Sequence, residues 1–115
     1  MSGLDLWAEI LDTQAALEDA LKQTRQRGLA MAEAEAHYYT VKAHTAYDLK
    51  EAGQPSTFIA LVIKGDPDVN EALEAFHRAE VEYENAREAR NVYKKRLDTL
   101  REQYQREWTQ SGMTA

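Results

Sequence analysis

Apolar side chains recur at steps of three and four along most of this chain, the spacing that lines up one face of an α-helix. Between Leu4 and Ala52 the stripe runs through Trp7, Ile10, Leu11, Leu17, Leu21, Met31, Tyr38 and Leu49, with Thr24 and Thr45 filling steps of the same row. This predicts a long helix over residues 4–52, with Ser2 as N-cap and Asp5 in the first turn, where the positive end of the helix dipole favours a carboxylate. Gly28 interrupts it. An interior glycine costs roughly 1 kcal/mol against alanine, so it marks a bend or a close approach, and Ala30, Ala32, Ala34 and Ala36 thin the same section.

Gly53 then stands where a left-handed residue would end the helix, and Pro55 cannot continue it. The dense run Phe58, Ile59, Leu61, Val62, Ile63, preceded by Ser56 and Thr57 as caps and closed by Gly65, reads as a short helix within a turn segment, 53–66. A strand is the alternative for β-branched residues, but a lone strand has no ladder partner here. Asp66 and Pro67 start a third helix as N-cap and N1 residues, with Asp68 and Glu71 near its positive end.

From there to Trp108 the row Leu73, Phe76, Ala79, Tyr83, Ala86, Arg90, Tyr93, Leu97, Leu100, Tyr104, Trp108 keeps a heptad rhythm, predicting a helix over 67–108. The pattern as a whole predicts an all-α chain: one antiparallel, coiled-coil-like helical hairpin over residues 1–110, with 109–115 a flexible tail. Setting Leu49 beside Phe76 brings Gly28 opposite Leu97, Leu21 opposite Tyr104 and Glu35 opposite Arg90, a charge pair on otherwise apolar rows.

Composition narrows the class. A hairpin of 115 residues buries little apolar surface alone, so a homo-oligomer or a protein partner is expected. The net charge of −6 argues against a surface that grips nucleic acid all round. With no cysteine there is neither a disulfide nor a thiolate metal site, and the short apolar run cannot span a bilayer, so the expectation is a soluble cytoplasmic protein with no membrane contact.

Candidate chemistry is sparse. Glu74 and His77 form a Glu-x-x-His as in di-metal bundles, and His37 and His44 lie a heptad apart, but the chain holds one copy of the motif and His77 falls off the core row. Neither a metal nor a cofactor is expected. There is no nucleophile triad order or glycine-rich phosphate loop, so no catalytic residue is assigned and an enzyme is not expected.

Two surfaces remain. In the proposed register Lys22, Arg25 and Arg27 lie beside Lys94, Lys95, Arg96 and Arg101, a basic belt near Tyr93 and Tyr104 suited to single-stranded DNA, although Glu88, Asp98 and Glu102 are interleaved with it. At the turn, Phe58, Ile59, Leu61, Val62 and Ile63 are too many large apolar groups for one helix pair to cover. Ringed by Glu51, Lys64, Asp66 and Asp68, they form the candidate partner-binding site.

The runs Ala46-Tyr47-Asp48-Leu49-Lys50-Glu51-Ala52-Gly53-Gln54-Pro55-Ser56-Thr57 and Lys64-Gly65-Asp66-Pro67-Asp68-Val69, with Arg106-Glu107-Trp108, resemble a family of small helical accessory proteins of bacteriophages and prophages, largely of Gram-positive hosts. The resemblance implies a viral accessory protein that acts by binding, with inhibition of a host nucleic-acid-processing or defence enzyme, in the manner of CRISPR inhibitors, as its expected activity. An accessory of phage recombination or replication touching single-stranded DNA through the belt is the alternative.

Overall fold

The computed structural model describes residues 3–112. Three helices follow one another: α1 (Gly3–Glu51), α2 (Ser56–Ile63) and α3 (Pro67–Gly112). The chain is all-α, and α1 and α3 pack antiparallel as a helical hairpin with α2 between them. Among the described residues no helix is long and apolar enough to cross a membrane. α3 continues through residues 109–112, where a flexible tail was expected; 113–115 and the expected Ser2 cap lie outside the described residues.

The turns follow from local chemistry. Gly53 has φ 84°, and the backbone N–H groups of Gly53 and Gln54 donate to the carbonyls of Lys50 and Leu49 at 3.0 and 3.1 Å. This is the Schellman closure, in which a left-handed glycine lets the chain turn back onto the last carbonyls of the helix. Asp66 caps α3: its Oδ1 accepts from the N–H groups of Asp68 and Val69, each at 3.0 Å. The start of α2 corrects the expectation of a Ser56 or Thr57 cap. Pro55 takes that position in extended backbone without a side-chain cap, and its carbonyl accepts from Phe58 and Ile59.

The chain divides into two compact units, Met1–Arg25 with Asn85–Ala115, and Gln26–Glu84. In the first, Leu6, Ile10, Leu97 and Leu100 form a buried cluster flanked by Leu17 and Tyr104. The buried row of α1 is Leu6, Ile10, Thr13, Ala20 and Thr24. Trp7, Leu11 and Leu21, placed in the core row by the sequence pattern, are instead 46%, 47% and 47% exposed. Two apolar rows interleave on this helix: one is buried against α3, and the other reaches α3 through the ring of Trp7 against Tyr104 while staying half exposed. The Thr24 hydroxyl donates to the Ala20 carbonyl at 2.8 Å and also lies 3.2 Å from the Ala86 carbonyl of α3, a contact that small residues on both helices permit.

In the second unit, the space above Gly28 belongs to Tyr83: a Cβ there would sit 3.2 Å from the ring. Tyr38 stacks on Phe76, and Ile63, Val69 and Ala72 are buried. These contacts correct the expected register. Gly28 meets Tyr83 rather than Leu97, and in the first unit Tyr104 meets Trp7 rather than Leu21. Both differences, 97 − 83 and 21 − 7, equal fourteen residues, two heptads. Sliding a heptad pattern by whole repeats returns every seam position to a seam position, so periodicity alone cannot choose between such registers.

The expected pair of Glu35 and Arg90 belongs to that register and falls with it. The Nε of Arg90 is buried without a hydrogen-bond partner. Ion pairs that join α1 to α3 include Arg27 with Glu82 in one unit and Arg96 with Glu9 in the other, each at 2.6 Å.

Candidate functional site at the helical turn

α2 is held at both ends by backbone geometry, with the Schellman turn before it and, after it, a turn in which Gly65 and Asp66 donate to the carbonyls of Val62 and Ile63. That anchoring decides which side chains face inward. Ile63 is 8% exposed, a correction to its expected place on the binding surface; it belongs to the interior of its unit. Ile59 and Val62 are half-buried. Phe58 is 44% and Leu61 70% exposed, and at spacing i, i+3 they are neighbours on one side of the helix.

The charged ring is thinner than expected. Glu51, Lys64 and Asp68 are exposed, whereas Asp66 spends an oxygen on the α3 cap and is half-buried. What remains is a short helix presenting two large apolar groups, with carboxylates on the adjoining ends of α1 and α3. This arrangement can dock; it holds no pair of groups set for proton transfer or nucleophilic attack.

The histidines sit elsewhere on this unit. His37 and His44 line a shallow groove with Asp48, Asp68 and Glu71, yet among the described residues no three His, Cys, Asp or Glu side chains are placed to hold a metal ion. In the Glu-x-x-His motif, His77 Nδ1 lies 2.8 Å from Glu80 and Glu74 lies 3.9 Å from Arg78, on the exposed side of α3, where the pattern placed His77 off the core row.

Of the residues of the expected belt, two are engaged in ion pairs. Arg27 lies in the unit Gln26–Glu84 and is paired with Glu82, and Arg96 is paired with Glu9. Lys22, Arg25, Lys94, Lys95 and Arg101 are exposed in the other unit. Arg101 lines a groove with Trp7, Ile10, Gln14, Tyr104 and Trp108, where the Trp7 and Tyr104 rings are 5.5 Å apart. The sequence reading missed this groove because it merged the two apolar rows of α1. The available signal was the second row itself, Leu4, Trp7 and Leu11 at steps of three and four, resumed at Leu21 and offset from Leu6, Ile10 and Leu17. No known protein family, curated protein or solved structure matches this chain.

Proposed function

We propose that this chain is a non-enzymatic accessory protein that binds another protein through α2, with Phe58 and Leu61 as apolar anchors. The observation that supports it is the 70% exposure of Leu61 beside Phe58 on a helix anchored at both ends. A surface leucine alone means little, but a pre-ordered apolar pair loses little entropy on docking and has the form of a binding hot spot. The flanking carboxylates of Glu51 and Asp68 favour a partner whose apolar cleft is rimmed by Lys and Arg. Such rims are common in nucleic-acid-processing enzymes, and occupation of one by this tip would exclude nucleic acid.

The test is affinity capture from host-cell lysate with the native chain, with Phe58→Asp and Leu61→Asp, and with Val81→Asp as a control outside α2 whose exposure lies between theirs. The expected result is a partner retained by the native and control chains, lost by both α2 variants, and eluted by moderate salt. Identical captured proteins for all four chains would remove the proposal.

A further inference from the structure

The unit Met1–Arg25 with Asn85–Ala115 carries a second seam on α1 that its own α3 covers only in part, the Trp7 ring lying 5.5 Å from that of Tyr104 while Leu11 and Leu21 stay half exposed. Trp7, Leu11, Gln14, Glu18, Leu21 and Arg25 follow one another at steps of four, three, four, three and four, about a third of the way round the helix from the buried row. The three apolar members are roughly half exposed, and among the described residues neither Glu18 nor Arg25 has an ion-pair partner within the chain.

We infer that this seam pairs with the same seam of a second copy, antiparallel, across a two-fold axis. In an antiparallel coiled coil the two heptad core positions face each other, so positions whose numbers add to a constant share a layer. With that constant at 32, Leu11 meets the second copy's Leu21, Gln14 meets its Glu18, and Trp7 meets its Arg25. Apolar faces apolar, amide faces carboxylate, and guanidinium faces indole, a cation–π pair. The axis repeats each layer. A shift by one heptad puts Glu18 against the second copy's Trp7 and Leu11 against its Gln14, so the polar residues select the register as buried polar groups do in coiled coils. The arrangement is isologous, the commonest symmetry of soluble dimers.

Surface area points the same way. The chain exposes 8540 Å², whereas a folded monomer of its 13.1 kDa mass would expose about 6,400 Å². A standard interface removes about 800 Å² per partner, which this surplus accommodates. The seam and the proposed docking tip lie in different units and share no residue.

The experiment is sedimentation equilibrium across the micromolar range, with cross-linking of cysteine variants, which is clean because the chain has no cysteine. A dimer is expected for the native chain. Leu11→Glu combined with Leu21→Glu should raise its dissociation constant at least about tenfold, with helicity by circular dichroism retained because both side chains are outside the buried row. A mixture of Leu11→Cys and Leu21→Cys chains should form disulfide-linked dimers on mild oxidation, and neither chain should do so alone. A monomer throughout, a dimer indifferent to the double glutamate change, or Leu11→Cys linking to itself as in a parallel pair would each overturn the inference. So would a groove that proves to hold single-stranded nucleic acid: quenching of Trp7 and Trp108, the chain's two tryptophans, by oligothymidine with the protein monomeric.

Discussion

At Gly28 two opposing effects of about the same size meet. Alanine in a helix interior gains about 1 kcal/mol over glycine from backbone entropy, but its Cβ would lie 3.2 Å from Cε1 of Tyr83, closer than ordinary van der Waals contact. The obstacle is the edge of a half-buried ring that must yield by a few tenths of an ångström, not a backbone atom. Gly28→Ala should therefore be neutral or stabilising by about 0.5 kcal/mol in urea denaturation, whereas Gly28→Leu, which must displace the ring, should lose about 1–3 kcal/mol. A large loss for the alanine variant would show that Tyr83 cannot move. The sequence announced the role of this glycine, room for a large side chain, without identifying the side chain, because the tyrosine and the leucine two heptads on occupy the same seam position.

Among the elements, the boundaries were the most legible feature, since each rests on chemistry within a few residues. Gly53 at the end of α1 and Asp66 with Pro67 at the start of α3 behave as their residue types dictate. The cap of α2 was misplaced by one position because Pro55 supplies a backbone carbonyl where a hydroxyl was expected. Register and facing were less legible: periodicity survives a slide by whole heptads, and Trp7, Leu11 and Leu21 share the spacing of the true core row. At the candidate site, the exposure of Phe58 and Leu61 followed from counting apolar groups, but the inward turn of Ile63 depends on how α2 is anchored. That anchoring gives a prediction. Asp66→Ala leaves two N–H groups of α3 without their side-chain acceptor and should cost about 0.5–2 kcal/mol. Gly53→Ala forces a Cβ into left-handed backbone and should cost about 1–2 kcal/mol. Thermal unfolding followed by circular dichroism measures both, and no loss in either would mean that the turns are held by something other than their caps.

For the molecule as a whole, the question is where along α1 stability is concentrated. Its buried side chains, Leu6, Ile10, Thr13, Ala20 and Thr24, all fall in its first half, against a partner stretch of α3 that contains Leu97 and Leu100. In the unit Gln26–Glu84 the buried apolar residues are Ile63, Val69 and Ala72, so α1 contributes only half-buried side chains there, Met31, Tyr38 and Thr45 among them. Local opening follows local burial, because a segment with few buried contacts loses little when its backbone separates. A helix of 49 residues has an opposing tendency, since propagation is cooperative and a break inside it creates two new ends with unpaired groups. The burial difference should win. Native-state hydrogen exchange is expected to show amides of residues 30–45 exchanging at least about tenfold faster than those of 8–24, a difference of about 1.4 kcal/mol in opening free energy. Equal protection along α1 would mean that helix continuity outweighs side-chain packing. α2 would then be joined to a helix that opens as one piece, rather than to a loosely held half of it.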